Sequence, residues 1–295
     1  MRFGLIGYGL WGRHHATAIG KAPGAVLAAI ACRSEATAAL ARRDFPDVPV
    51  HLDYRELLAR PDVDVADIVA PNHLHAEIGV AALDRGKDVL LEKPMAATAA
   101  ECDRLLAAAR RSGRMLSIGH ELRLSTQWGT VKAIIDAGDI GDPMYALHTL
   151  FRFPYRPGAD GWRHDRSRVG SWILEEPVHA FDSLMWYLER HGDPVSVLAL
   201  GNGRRPEEGM PKEGMPKEGM EDNFTALLRF PGGAYAVVTE TLAAFEYHHV
   251  TEVVGREGSI RAWWSGTLDR TRQPEFELKV KRRGGEVETV ALAPS

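Results

Sequence analysis

Apolar residues in the first 120 positions form short continuous runs, which alternate with segments in which they recur every three or four positions. Runs such as 26–32 are almost entirely apolar, as expected for parallel strands buried on both faces. Ser34 and Thr98 stand where helix N-caps are expected. This alternation predicts a doubly wound parallel sheet with helices between the strands. The predicted strands are residues 3–6, 26–32, 48–51, 65–70, 88–91 and 115–119.

The pattern changes after residue 120. Helical periodicity returns at 127–137 and at 170–188, where Pro177 interrupts it, and from residue 195 onward short strand-like runs follow one another. Turn residues such as Pro231-Gly232-Gly233 join several of these runs, which predicts a mostly antiparallel sheet. The fold class is therefore α/β, with a Rossmann domain at 1–120 and an α+β domain at 121–295 that carries a large open-faced sheet.

A glycine-rich turn connects the first strand to the first helix. Gly7, Gly9 and Gly12 have the Gly-x-Gly-x-x-Gly spacing. In this pattern the first glycine permits a tight turn, the second lets a pyrophosphate approach the backbone, and the third allows close helix–strand packing. The motif therefore predicts dinucleotide binding at the helix N-terminus. The intervening residues are expected to line the cofactor: Tyr8, Leu10 and Trp11.

Composition and charge exclude several classes of protein. The 295 residues carry a formal net charge of −4 and no long basic run, which argues against a nucleic acid as partner. Cys32 and Cys102 are the two cysteines, too few for a disulfide framework or a zinc motif. The chain has neither a signal peptide nor an apolar run of ~20 residues that would span a membrane, so a cytoplasmic location is expected. A tandem Gly-Met-Pro-Lys-Glu repeat at 209–220 predicts a surface loop.

Two further segments follow predicted strands. One is Ala70-Pro71-Asn72-His73-Leu74-His75, and the other is Glu92-Lys93-Pro94. Ligands of doubly wound sheets bind outside the carboxyl ends of the strands, where both segments and the glycine turn are expected. The predicted cofactor contacts in these segments are Ala70, Pro71, Asn72, His75, Glu92, Lys93 and Pro94. The spacings of His14, His15, His73 and His75 do not predict a metal site.

With Glu175-Glu176-Pro177-Val178-His179 in the second half, these motifs resemble the Gfo/Idh/MocA family of NAD(P)-dependent oxidoreductases. The resemblance implies hydride transfer on a CH–OH or C=O group of a sugar, polyol or related small molecule. It implies that Lys93 stabilises charge on the substrate oxygen and that His179 transfers the proton, roles that suit an ammonium and an imidazole. Glu175 precedes His179 by four residues, so both are predicted on one helical face. Glu176 is the alternative carboxylate partner of His179.

The resemblance also implies substrate contacts and assembly. Glu121 and Arg123 follow the sixth strand, where family members contact the substrate and nicotinamide. Arg123 is either a substrate clamp or part of an ion pair between domains. Trp162 and Arg163 resemble a pair that lies near the nicotinamide in some members. The open sheet implies a homodimer or homotetramer.

Cofactor choice depends on the residues about 20 positions beyond Gly12. Cys32-Arg33-Ser34 stands there, with no carboxylate at the expected position to bind a ribose 2′-hydroxyl. Because Arg33 and Ser34 can bind a 2′-phosphate, NADP is predicted over NAD.

Two other functions remain open at this point. The chain could be an NAD-dependent glycoside hydrolase that oxidises its sugar transiently, or a non-catalytic dinucleotide-binding regulator. Tightly retained NAD without net turnover would indicate the hydrolase, and the presence of both Lys93 and His179 argues against the regulator.

Overall fold

The computed structural model describes residues 1–153, 158–203, 221–266 and 275–292. The chain forms two compact units. The first consists of Met1–Gly119 with Ser167–Gly170, and the second of His120–Arg166 with Ser171–Ser295. The pentapeptide repeat lies outside the described residues. Within the described ranges we find no helix with the length and apolar character needed to cross a bilayer.

The first unit contains a six-stranded sheet in the order β3-β2-β1-β4-β5-β6, in which every pair of neighbours is parallel. This order places a topological switch point between β1 and β4 and confirms the doubly wound prediction. The strands are β1 (Arg2–Ile6), β2 (Val26–Ala31), β3 (Val50–His51), β4 (Val65–Ile68), β5 (Asp88–Glu92) and β6 (Leu116–Gly119). The helices are α1 (Leu10–Lys21), α2 (Glu35–Asp44), α3 (Tyr54–Leu58), α4 (His75–Asp84) and α5 (Ala99–Ser112).

Alternation along the strands produces two apolar clusters. Leu5 and Ile30 belong to one, whereas Ile6 and Ala31 belong to the other. Because successive strand residues point to opposite faces, the two clusters cover the two sides of the sheet. All four residues of β4 are buried, including Asp67. The continuous apolar runs of the sequence thus arise from burial on both faces.

Helix ends follow the capping signals of the sequence. The Ser34 side chain accepts a hydrogen bond from the Thr37 backbone N–H at the start of α2. Thr98 and Glu101 form a capping box at the start of α5, and Gly113 ends that helix in the left-handed conformation. These contacts satisfy backbone groups that a helix end leaves without partners, so the local sequence fixes where these helices begin and end.

The second unit contains an eight-stranded sheet in the order β14-β13-β12-β11-β7-β10-β9-β8. Its neighbours are antiparallel except for β10 and β7. That pair is parallel because the chain between the two strands runs through helices and two other strands, a connection long enough for a crossover. The strands are β7 (Pro143–Phe151), β8 (Ser196–Asn202), β9 (Asn223–Arg229), β10 (Tyr235–Thr241), β11 (His248–Gly255), β12 (Ser259–Trp264), β13 (Phe276–Lys281) and β14 (Val287–Thr289). The helices are α6 (Thr126–Asp136), α8 (Trp172–Glu175) and α9 (Val178–Tyr187), and α7 (Arg166–Val169) has all but its first residue in the first unit.

One face of this sheet is covered and the other is open. Residues of β9 and β10 alternate between buried and more exposed positions, and α6 and α9 contact the sheet. The edge strand β8 is exposed throughout, and Leu200 is 75% exposed. The structure therefore confirms the large, mostly antiparallel, open-faced sheet.

Candidate active site

Two glycines of the turn, Gly7 and Gly12, have no room for a side chain within the folded protein. Gly7 has a φ of +105°, and a Cβ there would lie 2.2 Å from the Val69 carbonyl oxygen. A Cβ on Gly12 would lie 2.0 Å from the Gly7 carbonyl oxygen. Both positions exclude a side chain, because real atoms do not approach so closely. These contacts hold the start of α1 close against the end of β1.

Gly9 is different, because among the described residues no atom beyond its immediate chain neighbours lies within 4 Å of the Cβ that it lacks. It is the N-cap of α1, its φ of −81° suits any residue, and no side chain caps the helix there. The helix N-terminus therefore presents backbone N–H groups beside open space, the arrangement that binds phosphate. A dinucleotide pyrophosphate fits this cradle.

The side chains between the glycines point in different directions. Tyr8 is buried, and its hydroxyl donates to Asp44 Oδ2 at 3.0 Å. The Tyr8 ring packs in the apolar cluster around Leu5, and the prediction that Tyr8 lines the cofactor through its position in the turn stays a prediction. Leu10 is exposed, and Trp11 is 46% exposed while its indole N–H donates to Glu92 Oε1 at 3.1 Å.

The residues that follow β2 also differ in their burial. Cys32 is buried in the same cluster as Leu5, and burial raises the pKa of its thiol. The prediction that Cys32 contacts the cofactor from its position after β2 stays a prediction. Arg33 is exposed, and Ser34 caps α2. Glu35, which follows, forms an ion pair with Arg42.

The loops after β4 and β5 are joined by His75. Its Nδ1 lies 2.7 Å from the Pro94 carbonyl oxygen, and its Nε2 lies 2.8 Å from the Ala70 carbonyl oxygen. Complete burial lowers the pKa of His75, so the neutral ring donates to one carbonyl at a time. His75 has no exposed surface and holds the two loops together. The prediction that it lies at the cofactor, near the nicotinamide, stays a prediction. The Lys93–Pro94 peptide bond is cis.

Asn72 carries an unused donor at this edge. It lies immediately after Pro71 and is 3% exposed, and its side-chain Nδ2 has no hydrogen-bond partner among the described residues. Buried donors are normally satisfied, so an orphan donor beside the glycine turn fits a site for a polar ligand.

A buried charged cluster lies beneath this edge. His15 Nδ1 is 2.9 Å from Asp67 Oδ2, and His15 Nε2 is 3.2 Å from Glu92 Oε1. Burial alone disfavours a charged ring, but the hydrogen bonds to these two carboxylates outweigh it and raise the pKa of His15 to about 10. The sequence indicated nothing about His15 except that its spacing does not predict a metal site, so these contacts were not foreseen. Its spacing of four residues from Trp11 on α1, which puts both on one helical face, was the signal that could have identified it.

In the second unit, His179 lies in the first turn of α9. Its Nε2 is 3.5 Å from Glu121 Oε1, and the ring is largely buried. Glu121 belongs to a short 3-10 segment, Glu121–Leu124, that follows β6. The structure thus gives His179 a carboxylate partner from a distant part of the chain.

Glu175 and His179 do not share a helix. Glu175 ends α8, and Pro177 is the N-cap of α9. The prediction that Glu175 and His179 lie on one helical face is therefore wrong. Glu175 is 3% exposed and accepts a hydrogen bond from Arg163 Nε at 3.1 Å. The Arg163 guanidinium in turn lies 4.9 Å from the centre of the Trp162 ring.

The remaining predicted substrate residues are also engaged in ion pairs. Glu176 pairs with Arg152. Arg123 donates to both carboxylate oxygens of Asp182, at 2.8 and 2.7 Å, and lies over the Trp186 ring. This ion pair lies within the second unit, so the alternative of a pair between domains is wrong and a role as substrate clamp is disfavoured.

Comparison with known proteins identifies the family. Residues 1–120 match the model of an oxidoreductase family with an NAD-binding Rossmann fold, Gfo/Idh/MocA. Residues 128–261 match a Gfo/Idh/MocA C-terminal domain. The chain belongs to the Gfo/Idh/MocA family. This confirms the resemblance seen in the sequence.

Several relatives carry descriptive names. The chain is 32% identical to a 1,5-anhydro-D-fructose reductase of Ensifer adhaerens over 290 residues, which is 97% of this chain and 81% of that protein. It is 31% identical to an inositol 2-dehydrogenase of Salmonella typhimurium over 67% of this chain and 57% of the relative. It is 31% identical to a 1-carboxy-3-chloro-3,4-dihydroxycyclohexa-1,5-diene dehydrogenase of Comamonas testosteroni over 80% of this chain and 54% of the relative. The match thus spans little more than half of the last two proteins.

Among solved structures, a levoglucosan dehydrogenase in complex with NADH and levoglucosan superimposes with a TM-score of 0.84. It is 28% identical and covers 100% of this chain and 80% of its own. An aldose–aldose oxidoreductase of Caulobacter crescentus, at 22% identity over 100% of this chain and 84% of its own, shares the fold with a TM-score of 0.83.

The two kinds of glycine in the turn predict separable effects. Gly12→Ala should lower the free energy of unfolding by about 2 kcal/mol or more, because the new methyl group collides with the Gly7 carbonyl. Gly9→Ala should leave stability unchanged within about 0.5 kcal/mol and weaken dinucleotide binding by about tenfold or more, because the methyl group occupies the open cradle. Thermal unfolding and calorimetric titration with NADPH and NADH measure the two effects.

Gly20→Ala is the matched control, since Gly20 lies in the same helix and a methyl group there also meets open space. It should not weaken binding. Wild-type affinity in Gly9→Ala would contradict the assignment of the cradle.

Proposed function

We propose that this protein is an oxidoreductase that transfers a hydride between NADP(H) or NAD(H) and a CH–OH or C=O group of a sugar, polyol or related small molecule. The observation that carries the proposal is the open cradle at Gly9, beside the orphan donor of Asn72 and at the same sheet edge as Lys93. The relatives named above are dehydrogenases and a reductase, which supports oxidoreduction over glycoside hydrolysis or regulation.

The first unit would hold the cofactor. The backbone from Gly7 to Gly12 and the N-terminus of α1 would bind its pyrophosphate, and Asn72 would donate to it from the loop after β4. When bound, the dinucleotide supplies or accepts the hydride. The chain contributes orientation, a charge beside the reacting oxygen, and a group that transfers the proton.

Lys93 and His179 are the proposed catalytic residues. The Lys93 ammonium stabilises negative charge that develops on the substrate oxygen, and the fixed backbone around it limits the cost of reorganisation. His179 takes up or releases the hydroxyl proton, a task that suits imidazole. We assign to Glu121, in place of Glu175, the role of holding His179, because Glu121 is the carboxylate that lies beside it.

Arg163 and Glu175 then act as a pair. Buried Glu175 orients the Arg163 guanidinium against Trp162, and this arrangement offers a flat cationic and aromatic surface. Planar guanidinium groups and aromatic rings bind sugar hydroxyls and ring faces well, so these residues are proposed to contact the substrate.

Assembly and cofactor choice are also proposals. A homodimer or homotetramer through the eight-stranded sheet is supported by its open face and by the exposed edge strand β8. NADP is proposed over NAD because Arg33 is exposed beyond β2, whereas Glu35 is engaged with Arg42. The bound NADH of the levoglucosan dehydrogenase structure supports NAD as the alternative.

A spectrophotometric screen tests the function. The purified protein should change absorbance at 340 nm with NADP+ or NADPH and at least one member of a panel of anhydrosugars, inositols, aldoses, polyols and keto-sugars. Tightly retained NAD with release of sugar from a glycoside, and no net change in cofactor, would indicate the hydrolase instead. Dinucleotide binding without any turnover would favour the regulator.

Loss of either catalytic group should reduce turnover more than binding. Lys93→Met and His179→Asn should each lower kcat by about 10²-fold or more, because charge stabilisation and proton transfer act in the transition state. The dinucleotide affinity, measured by calorimetry, should stay within about threefold, since the pyrophosphate cradle is unaltered. Lys21→Met, at the far end of α1, is the control. Unchanged turnover in either variant would contradict its assignment.

Removing the Arg33 guanidinium should change cofactor preference. Arg33→Ala should lower kcat/KM for NADPH by about tenfold or more, which corresponds to a lost charge-assisted contact, and leave the value for NADH unchanged. Arg110→Ala, on the surface of α5, should change neither value. An unaltered ratio in Arg33→Ala would show that another group selects the cofactor.

A further inference from the structure

Two buried carboxylates flank one histidine below the carboxyl edge of the parallel sheet. Asp67 of β4 is 0% exposed, and Glu92 at the end of β5 is nearly as buried. His15 of α1 lies between them, with Nδ1 facing Asp67 and Nε2 facing Glu92. These residues come from three separate elements and are far apart in the sequence.

The contacts of both ring nitrogens suit a charged ring. Each nitrogen of His15 lies within hydrogen-bond distance of a carboxylate oxygen, and an ionised carboxylate only accepts hydrogen bonds. A neutral imidazole would turn one lone pair toward one of the carboxylates. Buried charges persist only when they are paired, so the imidazolium and the two carboxylates stabilise one another.

Glu92 extends the contact to the proposed catalytic lysine. Its Oε1 accepts from both His15 and Trp11, and its Oε2 accepts from the backbone N–H of Lys93 at 3.1 Å. A Cβ at Gly119 would lie 3.0 Å from Oε1, so the absence of a side chain on the neighbouring strand leaves room for the Glu92 carboxylate. One side chain thus joins the helix of the glycine turn to the backbone of Lys93.

We propose that His15 is a positioning residue: as an imidazolium between Asp67 and Glu92, it holds the Glu92–Lys93 backbone at a fixed distance from the glycine turn. This rests on the proposed function, because the alignment serves a dinucleotide on the turn and a substrate oxygen at Lys93. The other ionisable groups near Glu92 are the Lys93 ammonium and buried, neutral His75.

The first test compares His15→Gln and His15→Arg. Gln keeps a polar side chain without the charge, and Arg keeps a cation that can bridge two carboxylates. His15→Gln should lower kcat by roughly 10- to 100-fold, the effect of a small misplacement of a catalytic group, with dinucleotide affinity within about threefold. His15→Arg should recover at least part of the loss. Equal kcat in His15→Gln and wild type, or no recovery in His15→Arg, would overturn the proposal.

His14→Gln is the matched control. His14 is adjacent in the same helix but exposed, and its ring lies against Trp11 rather than a carboxylate. This variant should keep wild-type kcat and stability. Reduced kcat in both histidine variants would point to a general effect on α1 and overturn the specific role of His15.

A second measurement needs neither substrate nor a variant. In wild-type protein, the side-chain nitrogen resonances of His15 should show both nitrogens protonated from pH 7 to pH 9, as expected for a pKa of about 10. A ring that becomes neutral in this range would overturn the proposal even if the variants failed to fold. If the protein showed no oxidoreductase activity but His15 stayed charged, the proposed function would fail while the charged contact stood.

Thermal unfolding tests how the charge on His15 changes the stability of the protein with pH. A pKa that is raised on folding stabilises the protein fully below the unfolded value of about 6.5, and this contribution declines as the pH rises toward 10. The difference in Tm between wild type and His15→Gln should therefore shrink from pH 6 to pH 9.5. A difference independent of pH would show that the charge on His15 contributes nothing.

Discussion

Two carboxylates, those of Asp67 and Glu92, are buried below the carboxyl edge of the first unit's sheet, and the ring of His15 lies between them within hydrogen-bond distance of both. An unpaired charge inside a protein costs several kcal/mol, whereas a hydrogen-bonded triad offsets much of that cost. Because the three residues belong to α1, β4 and β5, satisfying their charges also fixes three elements relative to one another. The positions of the glycine turn and of Lys93 both depend on this contact.

His75 also joins loops at this edge, but through backbone carbonyl groups and not through carboxylates. It is uncharged and lies between the carbonyl groups of Ala70 and Pro94, which lie in the loops after β4 and β5. Burial lowers the pKa of His75, whereas the two carboxylates raise that of His15, so the surroundings shift the pKa values of these two histidines in opposite directions. The side-chain Nδ2 of Asn72, in the loop after β4, has no hydrogen-bond partner among the described residues.

The second unit uses ion pairs to hold its chemistry-bearing side chains. Glu175, Glu176 and Asp182 each pair with an arginine, and His179 lies beside Glu121. Buried ionisable groups of the eight-stranded sheet have shifted pKa values: burial lowers the pKa of His148 to about 4 and that of His249 well below its usual value, and it raises that of Glu240. In each case the shift disfavours the charged form, because burial removes the charge from water.

The sequence by itself determined the order of strands and helices in the first unit, the glycine turn and the segments that meet at the carboxyl edge. These follow from local periodicity, capping residues and the rule that parallel strands end at one edge. Only the tertiary structure decided which ionisable groups meet. Asp67 and Glu92 lie 52 and 77 residues from His15, the side chains of Tyr8 and Cys32 face the core, and Glu175 is paired with Arg163 and separated from His179 by a break between two helices. Such pairings depend on strand register and on the direction of each side chain, which the spacing of residues along the chain does not encode.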